Sequence, residues 1–193
     1  MFQIRIHGRG GQGVVSASEL LSVAAFEEGK FSQSFPSFGS ERMGAPVQAF
    51  ARISDEAIPI REPVMEPDML IIQDPTLFNA INVFDGVKTG GYLLINSSKT
   101  PAELGIEEIT SQFPEHHVMT IPATELALKY IKQPKPNTVL LGAFAAMSHM
   151  VQIPALEKAI LGKFPSRIAK PNITATTAGY NLIMQKLEEA KEV

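Results

Sequence analysis

The chain has 193 residues, 45% of them apolar and 19% charged, with a formal net charge of -3. Those values predict one folded domain with room for a substantial core and argue against an electrostatic nucleic-acid binder. Cysteine is absent, which excludes disulfides, thiolate nucleophiles and Cys-held zinc or iron–sulfur clusters on this chain.

Phe2 to His7 alternates as a first strand and runs into Gly8-Arg9-Gly10-Gly11-Gln12-Gly13. Gly8, Gly10 and Gly13 fit the G-x-G-x-x-G spacing, with Gly11 in addition. Val14, Ala17, Leu21 and Ala24 then recur at helical spacing until Gly29 stops the helix. A tight turn ahead of a helix N-terminus offers free N–H groups to an anion, so a phosphate-bearing ligand is the first expectation. A dinucleotide site wants an acid about 20 residues beyond the glycines. That position falls near Gln33, and no Asp or Glu occurs between Glu28 and Glu41. The phosphate reading survives this test, and an ordinary NAD site does not.

Phe31 to Phe35 reads as a second short strand. Phe35-Pro36-Ser37-Phe38-Gly39-Ser40-Glu41-Arg42-Met43-Gly44-Ala45-Pro46 is too rich in turn formers and too long for a simple connection. It reads either as a functional loop or as an irregular crossover with a surface Glu41–Arg42 pair. Val47 to Ile53 alternates as a strand, and Ile58 and Ile60 are expected to pair back on it as a hairpin arm. Met69 to Ile72 and Gly90 to Asn96 read as buried parallel strands. Between them Asp74 and Pro75 fit N-cap and N1 of a helix to about Val83, although Asp74 also suits a site acid at a strand end.

His117 to Ile121 is expected as the next strand, with Pro122 opening a helix to about Ile131. Asn137 fits a cap for a helix from Thr138 to Val151 that is apolar nearly all round, so it should be buried on more than one side. Pro154 opens a further helix to about Phe164, and the last helix carries Tyr180, Ile183, Met184, Leu187 and Ala190 on one face. The whole predicts a single α/β domain over residues 1–193. Its expected form is a Rossmann-like three-layer domain with a mainly parallel sheet, a β-hairpin arm and a helical C-terminal part.

Catalytic constellations are missing. His7, His116, His117 and His149 lack H-x-x-x-H spacing, and there is no G-x-S-x-G elbow or Walker lysine. His7 borders the glycine turn, where it suits either a ligand contact or a local backbone hydrogen bond. No apolar run is long enough to span a bilayer, and the first residues lack the layout of a signal peptide. The expected setting is cytoplasmic, with no membrane and no nucleic-acid partner.

His7-Gly8-Arg9-Gly10-Gly11-Gln12-Gly13 and Phe35 to Val47 together resemble the γ subunit of 2-oxoacid:ferredoxin oxidoreductases. Ala49-Phe50, Arg52-Ile53-Ser54, Pro67-Asp68 and Asp74-Pro75 extend the likeness over essentially the whole chain, although family members often carry arginine where this chain has Met43. Gly44-Ala45-Pro46-Val47 is similar to the pyruvate and branched-chain type. The resemblance implies a multisubunit enzyme that turns a 2-oxoacid (here pyruvate), coenzyme A and oxidised ferredoxin into acyl-CoA, CO2 and reduced ferredoxin. It implies α-, β- and δ-type partner subunits, with ferredoxin an indirect partner. Thiamine diphosphate, magnesium and the iron–sulfur clusters are then held elsewhere, and none by this chain alone. The isolated chain is expected to be inactive and to carry no catalytic or metal-binding residue. Gly8, Gly10, Gly11, Gln12 and Gly13 are expected to approach the phosphates of coenzyme A or a partner subunit. Ser37, Gly39, Glu41 and Arg42 would line the same cleft, Arg42 as a phosphate partner. The competing readings are a free-standing nucleotide-dependent oxidoreductase and a structural subunit whose glycine turn serves only close packing.

Overall fold

The computed structural model describes residues 1–37 and 42–190. Six strands form one sheet: β1 (Phe2–Arg9), β2 (Phe31–Pro36), β3 (Pro46–Ser54), β4 (Met69–Ile72), β5 (Tyr92–Asn96) and β6 (Val118–Ile121). Their order is β2-β3-β1-β4-β5-β6. β1, β4, β5 and β6 pair in parallel, whereas β3 is antiparallel to both neighbours. The short apolar run of β4 is buried at every position, as a central parallel strand requires.

The helices are α1 (Val14–Glu27), α2 (Glu107–Thr110), α3 (Ala123–Tyr130), α4 (Asn137–Ser148), α5 (Ile153–Lys163) and α6 (Ser166–Glu189). α1 and α3–α6 cover one face of the sheet, where Ile4, Ile6, Ile71 and Leu94 meet α1 and α4 in the main core. The other layer is thinner. Leu77, Val83 and Ile106 close over Leu70, Ile72, Leu93 and Ile95. The predicted three-layer α/β architecture is therefore present.

The arm differs from expectation in its partner. β3 pairs with β2, from Phe31 against Ser54 to Pro36 against Ala49, and Ile58 and Ile60 form no strand. Pro59 and Pro63 remove ladder donors from that segment, and its carbonyls serve buried side chains instead. The Arg52 guanidinium donates to Gln33 Oε1 (3.3 Å), Gln3 Oε1 (3.1 Å) and Glu62 O (2.6 Å), while lying 5.4 Å from the Phe35 ring centre. Gln33 Nε2 donates to Ile60 O at 2.8 Å. Arg5 donates to the carbonyls of Val64, Met65, Val83 and Asp85. Two arginines thus fasten the outer layer to a sheet face, their charge met by dipoles, because backbone there would otherwise be buried unpaired.

α4 is buried at all but the last of its 12 residues, as its all-round apolar sequence implies. It crosses α6 with almost no gap: a Cβ at Gly142 would overlap Thr176 O, and one at Gly179 would overlap Val139 O. The expected capping role of Asn137 is not found. Asn137 is the first helical residue, and its Nδ2 donates weakly back to Gly13 O at 3.4 Å. The predicted helix after Asp74 shrinks to a 3-10 turn, Pro75–Asn79, although Asp74 caps it through Thr76 N at 3.0 Å.

Candidate functional site

The glycine turn closes β1 against α1, and Gly8, Gly10 and Gly13 are closely packed by their own chain. A Cβ at Gly8 would lie 2.6 Å from Val14 Cγ2 and 3.2 Å from Gln73 Cβ. At Gly10 it would overlap Arg42 O, and at Gly13 it would lie 2.5 Å from Asn137 Nδ2. Gly11 and Gly13 also sit at φ 97° and 78°, the left-handed region that penalises other residues. Only Gly11 faces something that can yield, the flexible and exposed Met43 side chain. Two main-chain bonds dock the 42–45 segment on the turn: Gly10 N to Ala45 O (2.9 Å) and Gly44 N to Gly10 O (3.1 Å).

Gln12 and Arg9 brace this junction. Gln12 Oε1 accepts from Arg9 N (2.7 Å), and its Nε2 donates to Asp74 Oδ2 (2.9 Å). The Arg9 guanidinium lies 3.3 Å from Asp74 Oδ2, donates to Thr76 Oγ1 (2.8 Å), and reaches Gly44 O (3.0 Å). Asp74 Oδ1 accepts from Thr76 Oγ1 at 2.6 Å as well as from its N–H. Burial works to raise the Asp74 pKa, but the bonds from Thr76 and Gln12 and the Arg9 charge together hold it below the ordinary carboxylate value.

Two hollows flank the brace. One, of about 460 Å³, lies over the start of α1, with Arg9, Gly11, Val15, Ser16, Arg42 and Met43 on its walls. α1 has no side-chain cap and no acid in its first turn. Its leading N–H groups and positive dipole end therefore face the hollow together with two arginines, an arrangement suited to an anion. The other, of about 560 Å³, lies beyond the carboxyl ends of β4 to β6, with Gln12, Asp74, Asn96, Lys99 and Thr124 on its walls. It adjoins the point where strand order reverses between β1 and β4, the usual ligand position in doubly wound sheets. On its floor Asn96 donates to Gln73 O (2.7 Å) and Thr124 Oγ1 (2.8 Å) and accepts from Thr124 N (3.0 Å), whereas the buried side-chain amide of Gln73 has no partner for Oε1 or Nε2 among the described residues.

Of the expected site residues, Gly10, Gly11, Gly13 and Arg42 line the hollow at α1. Gly8 lies buried beneath it, and Gln12 faces the neighbouring crevice with its amide engaged. Ser37 continues the β2–β3 pairing through its N–H to Gln48 O and lines neither hollow. Gly39 and Glu41 fall outside the described residues. Arg9 and Ser16 also line the hollow without having been singled out as ligand-side residues, and Asp74, expected as a cap or a site acid, caps Pro75–Asn79 and pairs with Arg9. His7 does not make the expected backbone hydrogen bond: it is 1% exposed, and both ring nitrogens lack a hydrogen-bond partner among the described residues. Burial, with the nearby Arg5 charge, pushes its pKa down to about 3, so the ring is neutral. Among the described residues no cluster of three or more His, Asp and Glu side chains is placed to hold a metal ion, and no helix is long and apolar enough to cross a membrane.

Fold and site define a doubly wound α/β chain whose glycine turn, Arg9 and Arg42 share one hollow at the start of α1. Residues 3–182 match the family described as pyruvate ferredoxin/flavodoxin oxidoreductase. The chain is 43% identical over 186 residues to the pyruvate synthase subunit PorC of Methanocaldococcus jannaschii, covering 96% of this chain and 99% of that subunit. It is 41% identical over 180 residues to the pyruvate/ketoisovalerate oxidoreductases common subunit gamma of Thermococcus litoralis, covering 93% and 96% of the two chains. The crystal structure of pyruvate oxidoreductase subunit PORC from Thermotoga maritima superposes with a TM-score of 0.76 at 38% identity, over 93% of this chain and 95% of that one. The chain belongs to the pyruvate ferredoxin/flavodoxin oxidoreductase family, as the γ-type subunit of a multisubunit oxidoreductase.

Proposed function

We propose that this γ subunit serves a pyruvate:ferredoxin oxidoreductase by lending its α1 hollow to the coenzyme A cleft, which other subunits complete. The observation that carries the reading is the uncapped, acid-free start of α1 sharing one hollow with Arg9 and Arg42. A diphosphate bound there gains backbone N–H donors and guanidinium partners without displacing a competing acid. The relatives' names point to pyruvate as the 2-oxoacid. With no cysteine, the chain supplies no thiolate to an iron–sulfur cluster. Thiamine diphosphate with its magnesium, and the clusters, are assigned to α-, β- and δ-type partners, through which electrons reach ferredoxin. The chain's own part is to bind and orient one substrate.

Arg42→Gln in the assembled enzyme is the direct test. The KM for coenzyme A should rise about tenfold, the loss of one charge-assisted contact, with pyruvate preferred over 2-oxoglutarate. An unchanged KM would remove the anion role. It would favour a second reading, in which the glycine turn serves packing only, as the close approaches at Gly8, Gly10 and Gly13 suit. Nicotinamide reduction by the chain expressed alone would overturn both.

A further inference from the structure

We propose that Asp74 is a positioning residue for the α1 hollow, acting through Arg9 without touching the anion. The proposal rests on the anion reading of that hollow. Asp74 lies 65 residues from Arg9 in sequence, lines the neighbouring crevice, and is absent from the hollow's walls. Yet it closes a ring of contacts around Arg9. Asp74 Oδ2 receives Gln12 Nε2 (2.9 Å), Gln12 Oε1 receives Arg9 N (2.7 Å), and the Arg9 side chain returns to Asp74 Oδ2 (3.3 Å). Thr76 Oγ1, itself held on Asp74 Oδ1 (2.6 Å), takes Arg9 Nη2 (2.8 Å).

Arg9 Nη1 meanwhile reaches Gly44 O (3.0 Å), in the segment that carries Arg42 over the turn. One guanidinium therefore ties together the glycine turn, the Arg42 segment and the end of β4. A guanidinium has five N–H donors. The ring engages Nε and one donor on each terminal nitrogen, leaving a donor on each of the latter. An arginine already immobilised loses little further rotamer freedom on binding.

Charge and position predict opposite signs here, which makes the inference sharp. A carboxylate beside an anion site repels the anion, so by Coulomb's law alone neutralising Asp74 tightens binding. If Asp74 positions Arg9, neutralising it weakens binding, because Asn offers an N–H where Gln12 and Arg9 both donate.

The measurement is inhibition of the assembled enzyme's coenzyme A-dependent turnover by inorganic pyrophosphate, for the parent and the variants D74N, T76V, R9Q, R42Q and D74N/R9Q. D74N should weaken pyrophosphate about tenfold, the freedom regained by one arginine. T76V, which leaves the carboxylate in place, should weaken it too, and the double variant should be no worse than R9Q alone. Tighter or unchanged binding in D74N while R42Q weakens it overturns the positioning role and leaves the anion site standing. Effects of D74N and R9Q that add overturn it equally. Pyrophosphate indifferent to R42Q as well overturns the anion reading itself.

Discussion

The crossing of α4 and α6 provides a test in which two intrinsic effects oppose each other. Gly179→Ala adds one methyl group to α6, and helix propensity alone makes that change stabilising by about 1 kcal/mol. The added Cβ would overlap Val139 O and lie 3.0 Å from Val139 C and 3.1 Å from its Cγ1. Ordinary carbon contacts are about 3.5–4.0 Å, so the helices must part or slide. α4 has nowhere to retreat, since all its residues but Ser148 are buried. Overpacking of this kind costs about 1–3 kcal/mol, and the upper part of that range applies where the obstacle is backbone. The expected net loss is about 1–2 kcal/mol, a fall in Tm of about 2–8 °C for a domain of this size. Gly162→Ala in α5 is the control, because a Cβ there meets nothing within 4 Å. It should raise Tm by up to about 4 °C. Thermal unfolding followed by far-ultraviolet circular dichroism reads both. A Gly179→Ala chain that melts higher, as Gly162→Ala should, would refute the close crossing.

His7 gives stability a pH dependence of defined sign. Its folded pKa of about 3 lies below the ordinary 6.5, so the unfolded chain takes up the proton first. This contribution is complete above about pH 6.5 and fades as pH falls towards 3. Urea titrations should show a loss of about 2 kcal/mol between pH 7 and pH 5 that His7→Leu lacks; equal losses in both chains would count against a neutral, buried ring. Arg52→Met leaves Gln3 Oε1, Gln33 Oε1 and Glu62 O without their donor and should cost about 1–3 kcal/mol. Hydrogen exchange should quicken selectively over residues 58–64, and unchanged exchange there would mean that the guanidinium does not hold the segment.

The parts of the fold legible in the sequence were those set by local pattern. Strand, glycine turn and helix emerge from alternation in Phe2–His7 and helical spacing after Val14, and the apolar run of β4 announces a central strand. Long-range choices were not legible. Ile58 and Ile60 alternate as a strand would, but their fate is decided by Arg52 and Gln33, which capture the carbonyls of Glu62 and Ile60. Arg5 occupies a polar position of an alternating strand, which ordinarily means solvent. It is 6% exposed because the outer layer folds over it and supplies carbonyls. Asp74 was readable as a cap or as a site acid; it caps the Pro75–Asn79 turn and also pairs with Arg9. Arg9 lay within the resembling motif, but its contacts were not readable, since its partners lie in two other segments.

The glycine fingerprint therefore separates into two pieces of physics that the sequence presents as one. Gly8, Gly10 and Gly13 are small because Val14, the Arg42 carbonyl and Asn137 lie against them, a requirement that holds with or without a ligand. In the proposed function the capacity for an anion comes instead from groups around the turn, namely the uncapped start of α1, Arg9 and Arg42. The two are coupled because the close approach at Gly10 is what seats the segment bearing Arg42. A larger residue at Gly10 should disturb stability and binding together, whereas loss of the Arg42 charge should disturb binding alone. Glycine substitutions thus cannot by themselves identify a phosphate site in a turn of this kind; charge substitutions on its rim can.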